Sequence, residues 1–276
     1  MVVDLWIIDF LPLQKVVRVS EKPKMLIIQQ VMIYCIKNLF VPGILFLLPL
    51  SDIFGQDTDG SKHIFTVDGR DRIYYMHIPE NLSEKAPLVF VFHGYGGNAK
   101  NMIGYSGMNP IADKNGFAVC YPQGVFGEDE KNSWNAGYSN PDVDDVKFIT
   151  SLARFLHEEY NLDPENTFAT GMSNGADIAW KSLWAEKGLI EGILETFDFW
   201  VKLNKCPTVK RDVLTDLNKE DKSFVVREIY TDGVEGNEVW LYTLVGGKHD
   251  WPGSWGNKDF MASEEIWNFF KRFVRD

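Results

Sequence analysis

The sequence has little of what most binding classes need. It holds 28 Lys and Arg against 39 Asp and Glu, a formal net charge of -11. No basic cluster is present that could neutralise a row of phosphates, which argues against nucleic acid or an anionic membrane surface as partner. Cysteine is scarce at three residues, and one of them, Cys35, lies in the N-terminal region. Cys120 and Cys206 make no disulfide framework, and two buried thiols are expected. No paired-cysteine motif or His/Asp cluster suggests a metal, so no metal and no cofactor are expected. Internal repeats and low-complexity tracts are absent as well. Histidine is equally sparse, five in 276 residues, so a chemistry that needs an imidazole has few candidates.

What is present is a core. A hydrophobic content of 45% with 14% aromatics over 276 residues suits one large globular domain. The segment Met25–Leu50 carries Lys37 ahead of an apolar run from Leu39 to Leu50, then Gly55 as a small residue at a possible cleavage point. That pattern reads as a signal peptide whose true start is Met25 or Met32, with a membrane anchor as the alternative. Residues 1–56 are therefore expected to be an N-terminal extension and signal-like segment. Residues 57–276 form the domain, in a secreted or periplasmic protein that meets a membrane only through an uncleaved N-terminus.

From His63 onward, strand and helix patterns alternate. "HIFTV", Asp68-Gly69 and "RIYYMHI" read as a hairpin with a two-residue turn. "PLVFVF" and "GFAVCYP" are continuous apolar runs of the buried parallel type. "DDVKFITSLARFLHEEY" places Val146, Ile149, Leu152, Leu156 and Tyr160 on one helical face. "NTFAT", "NGADIAWKSLWAEK", "EVWLYTLV" and "SEEIWNFFKRFV" continue as strand, helix, strand and helix. The expected fold is α/β, a mostly parallel sheet flanked by helices, with active groups at the carboxyl ends of strands.

At the junction of "NTFAT" and its helix stands Gly171-Met172-Ser173-Asn174-Gly175. A serine between a strand and a helix, flanked by glycines, is the setting of a nucleophile held on a tight turn; a structural turn serine is the bland alternative. Such a hydroxyl needs a base within reach. His63 and His77 flank the hairpin and His157 sits on a helix, which leaves His249 in "GGKHDWPG" as the sole histidine downstream of Ser173. An oxyanion cradle is expected from "HGYGGN", His93 to Asn98, through the N–H of Tyr95 or a neighbour together with that of Asn174.

"VFHGYGGN", "YPQG", "SWNAG", "DDVKFI", "GMSNG" and "GGKHDWPG" resemble, in order and approximate spacing, the polyhydroxybutyrate depolymerase and feruloyl/acetyl-xylan esterase group of α/β-hydrolases. The resemblance runs from about His63 to Glu186 and again from about Thr196 to Phe273. It implies a secreted carboxylic-ester hydrolase with Ser173 as nucleophile, His249 as base and Tyr95 with Asn174 as oxyanion donors. Trp134 and Trp251 are candidates to line the substrate pocket, with core packing as an equal reading.

The resemblance also implies a gap. After the Ser173 helix the group supplies two strand-plus-connection units and the Asp that orients the histidine; here roughly 60 residues of that kind are missing. Asp177, Glu186, Glu195, Asp198, Glu220, Asp221 and Asp232 remain in the interval. Asp232, at the far end of an expected "SFVVREIY"/"EVWLYTLV" hairpin, is excluded, and the triad acid is left unassigned. The substrates implied are feruloyl or acetyl esters of polysaccharides, or hydroxyalkanoate polyesters. The alternatives are a defective product of the same lineage and a non-catalytic carbohydrate- or ester-binding homologue.

Overall fold

The computed structural model describes residues 3–8, 30–35, 60–136, 142–183, 197 and 200–275. The strands are β1 (Val3–Ile8), β2 (Gln30–Cys35), β3 (Ser61–Val67), β4 (Arg70–His77), β5 (Leu88–Phe92), β6 (Ala118–Pro122), β7 (Val125–Phe126), β8 (Asn132–Ser133), β9 (Thr167–Met172), β10 (Thr208–Val213), β11 (Phe224–Thr231) and β12 (Val239–Val245). The helices are α1 (Ala99–Ser106), α2 (Met108–Asn115), α3 (Asp145–Glu159), α4 (Asn174–Leu183) and α5 (Ala262–Phe270). Ten strands form one sheet in the order β10-β11-β12-β1-β2-β9-β5-β6-β4-β3, and β7 pairs with β8 separately.

The sheet is mixed where a mostly parallel one was expected, because the hairpins β3-β4 and β10-β11-β12 and the pairings of β1 and β2 with their outer neighbours are antiparallel; its parallel heart is β6-β5-β9, built from the continuous apolar runs. Their lack of alternation has a direct cause: both faces are covered. Val89 and Val91 point into one core with Phe117, Trp267 and Phe270. Leu88, Phe90 and Phe92 point into the other, with Phe148, Leu152 and Leu156 of α3 and Ile178 of α4. The sheet is thus the middle of three layers.

The hairpin β3-β4 turns at Asp68 (φ 52°) and Gly69 (φ 71°), the doubly left-handed turn that suits right-handed strand twist. Helix α3 starts at Asp144, whose side chain accepts the N–H of Lys147 at 2.8 Å, and buries Phe148, Ile149, Leu152, Ala153 and Leu156. The segment β11-β12 is the expected hairpin. Cys120 and Cys206 are free and buried thiols, as expected.

Two strands come from the stretch expected to be a leader. β2 pairs antiparallel with β9 (Val31↔Met172) and parallel with β1, and β1 pairs antiparallel with β12 (Val3↔Val245). They occupy the places between the Ser173 strand and the His249 strand. Following the pairings across, β12 runs parallel to β9, so both strands deliver their carboxyl ends to the same edge of the sheet. The segment 187–195, expected to bridge the gap in the family pattern, lies outside the described residues.

Candidate functional site

Three chain segments meet at that edge: the loop after β5, the elbow after β9 and the loop after β12. Ser173 has φ 52°, a left-handed conformation that strains a residue with a Cβ. Its carbonyl accepts the N–H groups of Ala176 (2.7 Å) and Asp177 (3.1 Å), so it closes the first turn of α4. The flanking glycines are required by space. A Cβ on Gly171 would stand 2.5 Å from the carbonyl of Gly175 and 2.9 Å from Phe92 Cβ; one on Gly175 would stand 2.5 Å from the carbonyl oxygens of Phe92 and His93. The elbow therefore packs against β5 backbone to backbone.

β5 leads into His93-Gly94-Tyr95-Gly96-Gly97, and this loop is pinned from two sides. Gly96 N–H donates to Asn132 O at 2.8 Å, Gly97 N–H to Gly94 O at 3.0 Å, and Asn132 Nδ2 to Gly97 O at 2.8 Å. The second pin is His93. Its Nδ1 donates to Gly94 O at 2.8 Å, while Nε2 accepts from Gly124 N–H (3.0 Å) and Gln123 Nε2 (3.1 Å). Those partners define a neutral ring with its proton on Nδ1. Burial pushes the His93 pKa down to about 4, against a smaller upward pull from the Gly94 carbonyl.

Asn174 is buried and exchanges two bonds with Trp134: Trp134 N–H donates to Asn174 Oδ1 at 2.8 Å and Asn174 Nδ2 donates to Trp134 O at 3.2 Å. This fixes the start of α4, where Asn174 N–H lies next to Ser173. Tyr95 is 48% exposed; its hydroxyl donates to Asp129 and Lys131 sits over its ring at 5.0 Å.

A cavity of about 1040 Å³ opens over this ground, lined by Gly94, Tyr95, Met172, Ser173, His249, Tyr105 and Trp255 among others. It brings together Ser173, His249 and the Tyr95 loop. His249 is exposed as a residue, yet desolvation of its ring pushes its pKa down to about 4, with Asp250 pulling it upward. Among the described residues no hydrogen bond joins His249 to Ser173 or to a carboxylate. Asp221, at the His249 end of the β11-β12 hairpin, is committed to Ser223, whose N–H and Oγ both donate to it at 2.7 Å. Asp232 lies at the far turn, accepting from Thr231 Oγ1. Glu186, Glu195 and Asp198 lie outside the described residues.

Of the two readings open for Trp134 and Trp251, pocket wall or core packing, the structure gives core packing. Trp134 and Trp251 are both fully buried, and neither lines the cavity. Their indole N–H groups explain the placement: Trp134 Nε1 donates to His93 O at 2.9 Å and Trp251 Nε1 to Ser263 Oγ at 3.0 Å. Both indoles are therefore supports beneath the loops, and the aromatic walls are Tyr105 and Trp255 instead. Sequence reasoning also missed the brace made by His93. A lone histidine after an apolar strand carries no periodic signal, whereas the i, i+4 spacing of Asn101 and Tyr105 on α1 could have marked a shared face. Among the described residues no group of three or more His, Cys, Asp or Glu is placed to hold a metal, and no helix is long and apolar enough to cross a membrane.

A three-layer sheet with a strand–elbow–helix serine and a loop histidine at the same edge defines the α/β-hydrolase class. Comparison with known proteins narrows this. Residues 73–194 match the family described as Esterase PHB depolymerase. An acetylxylan esterase of Coprinopsis cinerea is 32% identical over 37% of this chain and 28% of its own length. Feruloyl esterase D of Neurospora crassa is 21% identical over 78% of this chain and 87% of its own. The chain spans no more than about half the length of several other curated relatives it matches, between 34% and 55%. Among solved structures, an acetyl xylan esterase from Aspergillus awamori superposes with TM-score 0.37 and 21% identity, covering 46% of this chain and 50% of that one.

Proposed function

We propose that the chain is a serine carboxylic-ester hydrolase, secreted, acting on feruloyl or acetyl esters of polysaccharides or on hydroxyalkanoate polyesters. One observation carries the reading: Ser173, on a left-handed elbow that only flanking glycines permit, lines the same cavity as His249 and the Gly94–Tyr95 loop. In this reading Ser173 Oγ attacks the ester carbonyl and His249 takes its proton. The N–H groups of Tyr95 and Asn174 receive the developing oxyanion. Collapse expels the alcohol, to which His249 returns the proton, and water then releases the acid from the acyl-enzyme by the same route.

A neutral imidazole at pH 7 fits the base role. Among the described residues no carboxylate is hydrogen-bonded to His249; in serine proteases loss of an orienting acid lowers kcat by about 10⁴ while residual catalysis survives. The second reading is a homologue that binds carbohydrate or ester without turning it over. The test is covalent labelling of the full chain by a fluorophosphonate probe, compared with Ser173→Ala, alongside turnover of methyl ferulate and an acetylated xylo-oligosaccharide. Labelling lost in Ser173→Ala supports the hydrolase. A folded wild-type chain that stays unlabelled, yet binds xylo-oligosaccharide saturably in calorimetry, gives the second reading in its place.

A further inference from the structure

The cavity has an aromatic edge that the ester chemistry at Ser173 does not use. Trp255 is 59% exposed and lines the cavity, with its ring stacked on Tyr105 at a centroid distance of 6.5 Å and 25° between planes. The Tyr105 ring and the Trp255 backbone are both tethered. Tyr105 Oη accepts the N–H of Trp251 at 3.1 Å, and Trp255 N–H donates to Trp251 O at 3.0 Å, so both aromatics hang from a buried tryptophan. On either side of Trp255 the loop needs glycines: Gly253 (φ 89°), where a Cβ would stand 2.4 Å from Met261 Sδ, and Gly256 (φ 65°), where it would stand 2.6 Å from Asp250 Oδ2. An exposed indole carried on a loop whose backbone is held this firmly, stacked on a tethered tyrosine and facing an open cavity, is placed for contact.

The neighbours say what it would contact. Lys100, Asn101, Gly104 and Tyr105 of α1 all line the cavity, and their spacing of one and four residues puts them on one helical face. Gly104 leaves that face open, since a Cβ there would meet nothing within 4 Å. Two flat rings, a gap and two exposed polar side chains match a ring with an apolar face and hydroxyl edges. A purely aromatic ring would use the indole and leave Lys100 and Asn101 idle. Trp255 is also more than half in solvent, so a ligand stacked there is continuous with the outside. In an acetyl ester the part of the substrate that extends away from the reacting carbonyl is the alcohol, so for such an ester the platform meets the alcohol side.

We propose that Trp255, supported by Tyr105, is a specificity-determining platform for a pyranose ring on the alcohol side of the ester, with Lys100 and Asn101 meeting its hydroxyls. The proposal rests on the ester-hydrolase reading for its kinetics but not for its binding. For Trp255→Ala, kcat/KM for an acetylated xylo-oligosaccharide falls about tenfold more than kcat/KM for ethyl acetate, with the loss in KM, and Trp255→Phe recovers part of it. Equal losses on both esters overturn the proposal, because they would mean that Trp255 only supports the His249 loop. A selective loss on methyl ferulate overturns it too, placing the platform on the acyl side. Calorimetry with deacetylated xylo-oligosaccharide separates the two readings. If no ester is turned over, about tenfold weaker binding to Trp255→Ala than to wild type upholds the platform without the hydrolase. Binding that is absent, or unchanged by the substitution, refutes the platform whatever the enzyme activity.

Discussion

His93 is the point where fold and candidate chemistry are most tightly joined, and replacing it with alanine tests that joint. The ring makes three hydrogen bonds, to Gly94 O, Gly124 N–H and Gln123 Nε2, at 2.8 to 3.1 Å. It is almost fully buried. His93→Ala leaves a backbone carbonyl and a backbone N–H without this partner, each costing about 1–3 kcal/mol, and adds a small cavity. A loss of about 3–5 kcal/mol follows, or roughly 10 °C in Tm for a chain of this size. Because Gly94 O is what the ring holds, kcat on a small ester should fall as well, through a loosened Tyr95 N–H. Acid adds a second signature. The folded pKa of His93 is pushed down to about 4 from 6.5, so between those values the unfolded chain binds more protons than the folded one. Stability is then full above pH 6.5 and lost as pH falls toward 4, by up to about 3 kcal/mol from this group. His93→Ala should flatten that dependence by its one-proton share. Urea denaturation at pH 7.5 and 4.5, with the m-value compared, reads both effects. A variant within 1 kcal/mol of wild type, or with an unchanged acid slope, refutes the brace.

Two further expectations follow from the same geometry. With the His249 pKa pushed down to about 4 by desolvation of its ring, kcat/KM on a neutral ester should hold about 90% of its plateau at pH 5, where an ordinary histidine would hold about 3%; an acid limb near pH 6.5 in a pH–rate profile contradicts this. Gly175→Ala drives a Cβ to 2.5 Å from the carbonyl oxygens of Phe92 and His93 and should cost more than about 3 kcal/mol, whereas Gly104→Ala, in open space on α1, should leave the Tm level or raise it slightly. Thermal melts of the pair decide.

Local pattern alone carried much of this protein. The apolar runs of β5 and β6, the Asp68-Gly69 turn, the α3 face and the glycine-flanked Ser173 were legible because each is dictated by neighbours in sequence: a strand covered on both faces shows no alternation, and a left-handed turn admits few residues. The order of chain elements likewise pointed to His249. What tertiary structure decided is everything that depends on a bond across distance. Trp134 and Trp251 look like pocket aromatics in sequence, but their indole N–H groups reach His93 O and Ser263 Oγ and are buried there. Trp255, with nothing in its neighbourhood to mark it, faces the cavity instead. His93 reads as a loop residue until Gln123 and Gly124 arrive from the loop after β6. The places between β9 and β12 are filled by β1 and β2, from a segment whose composition reads as a leader. Strand pairing is satisfied by any backbone that can reach the edge, and side-chain burial by whichever partner offers a matching donor or acceptor; neither choice is written in the residues on either side.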